Sequence, residues 1–511
     1  MESSAQSSSS PSWTDCFAVK RIRMLIPVGS KTEIKELSKL AGPVIISQLM
    51  VFAVNFVSTV FCGHLGKTEL AGVSLAMAII NVTGISVGVG LSGACDTLIS
   101  QTYGSRNLSK VGVILQRAIL ILLLACFPCW AILINTEPLL LAFKQEPAVA
   151  SFMYTLQTKY LQNQGIIWPQ VITGLVVNLL NVLMNYIFLF PLKLGIVGSA
   201  VASTISEFAM AGALYVYIIW KGLHKATWGG WSKDCLRDWD TFIHLAIPSM
   251  AMMCVEWWTY EIGSFLAGLI SEVELGAQSV VYQLAGFAYM FPLGFSIAGN
   301  VRVGNALGAG ETDQAKLSAK ITLFCGGQYA LKHYFYCASG GIVRGAGKQK
   351  VGALCNIIGY YGIGLPVGVT LMFAAKLGIK GLWTGLFICV FLQASFMIFY
   401  FTRMNWKNAT TERGVLYVRT ENSTFKSTTV TFAFVYLGHE PDDSATSFGQ
   451  TDTVGLAGME VEPAVVVISH RTLVLRRGLA LAAMLFILAA GIIINLLATN
   501  FVIQTNNSTS H

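Results

Sequence analysis

Stretches of about 20 predominantly apolar residues recur along most of this chain, the length that carries a helix through the hydrocarbon of a bilayer. They lie near 40 to 62, 71 to 99, 111 to 135, 170 to 191, 195 to 220, 242 to 270, 275 to 301, 351 to 373, 378 to 402 and 478 to 498. The alternating segments of about ten residues that a membrane β-barrel needs are absent. Composition agrees: 54% of the 511 residues are hydrophobic and 12% charged, where soluble domains carry roughly 25% charge, and the mean hydropathy is +0.62. The expectation is an all-α integral membrane protein, multi-pass, with the lipid bilayer as its solvent.

Basic residues set the sidedness. The Ser-rich tail with Lys20, Arg21, Arg23, Lys31 and Lys35 has no apolar core or small-residue cleavage site, so no cleavable signal is expected. That tail, "GSRNLSK" (104 to 110), "KGLHKATWGGWSKDCLRD" (221 to 238), "NVRVGNALGAG" (300 to 310) and "VRGAGKQK" (343 to 350) all read as inside. "SEVE" (271 to 274) then falls outside. These loops account for the formal charge of +8, which implies no nucleic-acid partner. Most of the eleven cysteines sit in apolar runs as small hydrophobes, and the lone C-x-x-C of Cys126 and Cys129 reads as packing. No cofactor, metal site or enzymatic chemistry is expected.

The chain also repeats itself. "LAGPVIIS" (40 to 47) resembles "LAIPSMAM" (245 to 252), and "TELAGVSLA" (68 to 76) resembles "VELGAQSVV" (273 to 281), both at an offset of 205. "KLGIVG" (193 to 198) meets "KLGIKG" (376 to 381) at 183. The second half is therefore shorter by about one span. Between "NVRVGNALGAG" and "VRGAGKQK", both inside, zero or two crossings must fit. Residues 315 to 338 read as too short for two helices, and "KQEPAVASFMYTLQT" reads as a poor fourth helix of the first half. Two such halves form one pseudo-symmetric body of the kind secondary transporters use. The expected organisation is a cytoplasmic tail (1–38), first-lobe helices (39–220), an inter-lobe linker (221–241), second-lobe helices (242–408, incomplete near 315–340), a polar cytoplasmic linker (409–470), and a last helix with an external tail (471–511). Asn506 and Asn507 begin sequons in that tail.

The segments "CGHLGKTELAGVSLA", "GLSGACDTLISQTYGS", "ATWGGWS", "AIPSMAMMCVEWWTYEIGSFLAG", "VRVGNALGAG", "GGIVRGAGKQKVGA" and "MNWK" together resemble the multidrug and toxin extrusion (MATE) family, vertebrate organic-cation type, over residues 33 to 408 and the last helix. The resemblance implies two six-helix lobes with an extra C-terminal helix, exchanging external protons for organic cations at the plasma membrane, apically or in vesicles. Against the family pattern the chain is short near 150 and near 325 to 337. It also carries Gln283 in "VYQLA" where the vertebrate proteins resemble "VYELA".

Two acids stand out within "CVEWWTYEIGSF". An acid at the centre of a membrane helix costs on the order of 2.5 to 3.5 kcal/mol, so Glu256 and Glu261 read as functional. Five residues apart, they stand about 140° and 7.5 Å from each other, able to border one cavity in different directions. A carboxyl group in such a place can hold a proton or a cationic drug in alternation. Trp257, Tyr260, Tyr282 and Tyr289 supply rings that attract organic cations. By the resemblance, these rings, Gln283 and the first-lobe Gln48 and Asn81 match pocket positions. Asp96 reads as support for an inner gate, and Glu207 has no role by the family pattern. Two rival readings are a transport-inactive shortened form acting only by association and a lipid-linked sugar flippase. The acidic and aromatic pocket argues against the flippase.

Overall fold

The computed structural model describes residues 29–64, 78–134, 146–328, 335–411 and 470–508, whose regular secondary structure is helical with no strand among them. Most of the expected N-terminal tail, the end of "CGHLGKTELAGVSLA", residues 412–469 of the polar linker and the last three residues lie outside the described residues. The first lobe comprises α1 (Ser30–Gly63), α2 (Ala78–Gly104), α3 (Leu108–Ile134), α4 (Glu146–Asn163), α5 (Trp168–Leu189) and α6 (Gly195–Trp220). The second comprises α7 (Trp239–Ile270), α8 (Glu272–Gly308), α9 (Thr312–Gln328), α10 (Phe335–Gly345), α11 (Gln349–Ala374) and α12 (Ile379–Arg403), and α13 (His470–Ser508) closes the chain. Nine of these helices are long and apolar enough to cross a membrane. The chain is a multi-pass membrane protein.

Helices are what lipid permits, because every backbone amide there must find its partner within the segment. The internal repeat shows as a shared irregularity: Pro43 inside α1 and Pro248 inside α7 occupy matching places in "LAGP" and "LAIP", and proline is a common cause of helix kinks. Each lobe has its own apolar core. One gathers Ile99, Phe152, Leu161, Leu214 and Phe242; the other gathers Val255, Tyr360, Leu382, Trp383 and Phe401. Phe242 and Trp239, at the start of α7, belong to the first core, so α7 is rooted in one lobe and extends into the other.

The basic loops come together at one end of the molecule. A side chain on Gly104 would strike Asn305, one on Gly308 would strike Gln101, and one on Gly112 would strike Thr227. The loop 221–238 is held there by Gln116, whose amide donates to the Gly230 carbonyl at 2.7 Å and accepts from the Ser232 amide at 3.1 Å. Residues 233–236 form one turn of 3-10 helix against α3.

The structure departs from the sequence expectation in two segments. The poor fourth helix is a helix, α4, of 18 residues. Its polar residues face protein rather than lipid: Lys159 donates to Asp96 at 2.6 Å, the Tyr160 hydroxyl meets Thr227 at 2.5 Å, and Gln162 donates to Gln170 at 3.0 Å. A lipid-facing pattern is therefore the wrong test for it. Likewise, residues 312–345 hold two helices, α9 and α10, of 17 and 11 residues. The whole stretch 312–345 is 34 residues, about 51 Å of helix at 1.5 Å per residue, less than the roughly 60 Å that two crossings of a 30 Å hydrocarbon core take. The two helices enter and leave at the basic end, so the parity of crossings is kept without a full hairpin. Small residues make the packing possible. A Cβ on Gly326 would stand 2.5 Å from Ala338, and one on Gly341 would strike the Ser296 carbonyl.

Candidate functional site

Glu256 is partly buried on α7 and Glu261 lies a little over one turn further along, also partly buried. Their directions differ as the helical spacing requires. Glu256 turns into the second lobe, where the Tyr289 hydroxyl of α8 donates a hydrogen bond to it. Tyr289 in turn touches the Cys337 thiol of α10, and the Ser296 hydroxyl donates to the Cys337 carbonyl at 2.7 Å. These contacts link α7, α8 and α10 of its lobe. Glu261 turns the other way, toward the first lobe, and accepts a hydrogen bond from Asn81. Asn81 opens a π-helical turn, Asn81–Ile85, a distortion that frequently marks functional positions in helices.

Aromatic rings border the acids. Tyr260 lies 5.8 Å from Tyr282 and 6.1 Å from Trp383, centroid to centroid. Its hydroxyl is hydrogen-bonded to Tyr360, which lies in a second π-helical stretch, Ile357–Gly364. Trp383 is fixed by its indole N–H, which donates to Gln278 at 2.9 Å. Trp258 joins the lobes, its N–H donating to the Val82 carbonyl at 3.1 Å and sharing the Ser86 hydroxyl at 3.3 Å. The arrangement offers an organic cation one carboxylate backed by a tyrosine, a second carboxylate across the lobe boundary, and a cluster of π faces.

Of the residues singled out in the sequence, the structure brings together Glu256, Tyr260, Tyr282 and Tyr289, and it joins Glu261 to Asn81. The others are placed by their helices. Trp257 is partly buried on α7, Gln283 is exposed on α8, and Gln48 is partly buried on α1. Asp96 does belong to a polar lock between the lobes, with Lys159 of α4 and Arg344 of α10 around it. Glu207 is partly buried on α6 within electrostatic reach of Tyr154.

Comparison with known proteins gives this site a context. The family model described as MatE matches residues 43–155 and 248–331. Multidrug and toxin extrusion protein 1 of Danio rerio is 55% identical, covering 93% of this chain and 92% of that protein. The chain belongs to the multidrug and toxin extrusion family. The Homo sapiens protein of the same name is 51% identical over 74% of this chain and 76% of that protein. The alignment with the Danio rerio protein runs over 546 positions, more than this chain's 511 residues, so part of that relative has no counterpart here. Among solved structures, a eukaryotic MATE transporter, AtDTX14, superposes with a TM-score of 0.69 at 24% identity, covering 75% of this chain and 98% of that one. A Vibrio cholerae MATE transporter superposes at 0.62 with 17% identity, covering 75% and 100%. Both show the same fold.

For a MATE family member, sequence reading missed three groups near the acids. Tyr360 and Trp383 sit in apolar runs where an aromatic residue looks like packing. Arg344 sits in a basic loop signature that explains itself by sidedness alone. A further ion pair, Glu33 of α1 with Arg302 of α8, crosses between the lobes with Gln314 and Ser318 donating at 2.6 Å each. Its partners are 269 residues apart in sequence.

Proposed function

We propose that this MATE family protein is a proton-coupled antiporter that exports organic cations and cationic drugs at the plasma membrane, and that Glu256 carries the exchange. The observation that supports this reading is the partly buried carboxyl group of Glu256 on α7, hydrogen-bonded by Tyr289 and bordered by Tyr260 and Tyr282. A proton and an organic cation neutralise the same carboxylate, so each one's binding weakens the other's. With the site facing outside, protons from the exterior neutralise Glu256 and release the cation. With the site facing inside, the carboxyl gives up its proton and takes a new cation, held by Coulomb attraction and by ring faces worth about 0.5 to 2 kcal/mol each. Glu261 and Asn81, on opposite sides of the lobe boundary, make a contact whose geometry changes as one lobe rocks against the other. Trp257, Gln283 and Gln48 are proposed to line the path rather than to bind charge.

Glu256→Gln keeps the shape and removes the titratable group. Uptake of a fluorescent organic cation into proteoliposomes, driven by an imposed pH gradient, is expected to vanish in this variant while the amount of inserted protein is unchanged. Gradient-driven uptake equal to that of the natural chain would remove Glu256 from the mechanism.

A further inference from the structure

Arg344 ends α10 beside both lobes, and its backbone is fixed while its side chain is not fully satisfied. The Thr97 hydroxyl donates to the Arg344 carbonyl at 2.5 Å, and the Gln101 amide donates to the Gly345 carbonyl at 2.7 Å. Gln349 donates to Thr97 at 2.5 Å. Three hydrogen bonds thus bolt this end of the second lobe to α2 of the first. The side chain is only 12% exposed, and its Nε stands 3.6 Å from Oδ2 of Asp96. That is an ion pair but too long for a hydrogen bond. The same oxygen already accepts from Lys159 at 2.6 Å, and the Arg344 Nε is buried without a hydrogen bond. One terminal nitrogen, Nη1, lies 3.9 Å from the sulfur of Met253. Met253 is three residues before Glu256, hence its neighbour on one face of α7.

A buried guanidinium has five donors to place and strongly favours a carboxylate partner. Asp96 of α2, itself paired with Lys159 of α4, is its ion-pair partner, and Glu256 of α7, Tyr289 of α8 and Cys337 of its own helix lie within its electrostatic reach. Two are acids, and Asp96 is already engaged by Lys159. We propose that Arg344 is a tethered cation shared between Asp96 of the first lobe and Glu256 of the second, so that the charge on Glu256 is felt where the lobes are bolted together. When Glu256 is ionised and empty, the guanidinium turns toward it and loosens from Asp96. When a proton or an organic cation neutralises Glu256, Arg344 returns to Asp96 and tightens the contact between α10 and α2. Arg344 is a positioning residue acting through Glu256, and the inference rests on Glu256 being the exchanging group.

The test is an infrared titration of the Glu256 carboxyl band in the purified full chain in nanodiscs, the band being assigned by its loss in Glu256→Gln. Arg344→Gln is expected to raise the midpoint by about one pH unit or more, since an opposite charge nearby favours the ionised form. Arg344→Lys is expected to keep the midpoint near that of the natural chain. Asp96→Asn is expected to lower it, because the guanidinium is then no longer shared. A merely structural Arg344 lowers the yield of folded protein and leaves the midpoint in place. An unmoved midpoint in Arg344→Gln, or in Asp96→Asn should the first variant not fold, would overturn the inference. So would a Glu256 band that does not titrate between about pH 4 and 10, which leaves no charge to share. Loss of the exchange reading is separable, since it shows as full cation uptake by Glu256→Gln, whatever the titration gives.

Discussion

Tyr289 carries a prediction that isolates a single hydrogen bond. Its hydroxyl donates to Glu256, and a bond to a charged group is worth about 1.5 to 3 kcal/mol. Tyr289→Phe keeps the ring and removes the donor. Gradient-driven cation uptake is therefore expected to fall roughly tenfold or more at unchanged protein level, and an unaltered rate would show that the tyrosine only packs. Residues of this kind divide by how visible they are in the sequence. Glu256 and Glu261 are legible because an acid amid apolar residues has no ordinary explanation. Tyr360, Trp383 and Arg344 are not, because an aromatic in an apolar run and an arginine in a basic loop both satisfy a simpler rule. Glu33 pairs with Arg302 across the lobe boundary, and no local pattern encodes a partner so distant in sequence.

Helix α4 and the pair α9–α10 were the elements least legible from sequence, for one physical reason. Hydropathy patterns report the lipid-facing side of a helix, and these segments are mostly surrounded by protein, with Lys159, Gln162 and Asn163 turned to polar partners. The lipid-facing α5, α6 and α12, by contrast, lie close to their expected limits. The shortness of α9 and α10 has a mechanical consequence. Lipid cannot satisfy open backbone groups, so a pair with too few residues for two full crossings thins the wall of the second lobe. Extending the hairpin with helical residues between Phe324 and Cys337 is expected to raise the turnover of gradient-driven exchange. Equal turnover in purified natural and extended chains would contradict the idea that this wall limits transport.

The whole molecule has two unlike ends. At one, the basic loops adjoin, Glu33 meets Arg302, and α10 is bolted to α2. Helix α13 starts there as well, with the Arg477 guanidinium 4.3 Å from the Trp239 ring centroid. It then runs along α3 until Asn495 donates to the Ile134 carbonyl at 2.8 Å. The positive-inside rule predicts a cytoplasmic basic end, and α13 leads away from it. An epitope placed after His511 is thus expected to be reachable on intact cells, and one placed before Met1 only after permeabilisation; the reverse pattern would invert the topology. The pseudo-symmetry of this body was legible in the repeated "LAGP" and "LAIP" segments, which give α1 and α7 a proline at matching places. The contacts that hold the lobes together were not, since they arise only when the two repeats face each other.

Competition of a proton and a cation for one carboxylate has a direct signature in the number of protons released on binding. Purified protein in weakly buffered detergent solution, near the pH at which Glu256 is half protonated or below it, is titrated with a quaternary ammonium ion while proton release is followed with a pH indicator. The natural chain is expected to release a proton fraction that rises toward about one per bound cation as the pH is lowered, and Glu256→Gln is expected to release none. Cation binding by the natural chain with no proton release across that range would contradict the exchange mechanism at its centre.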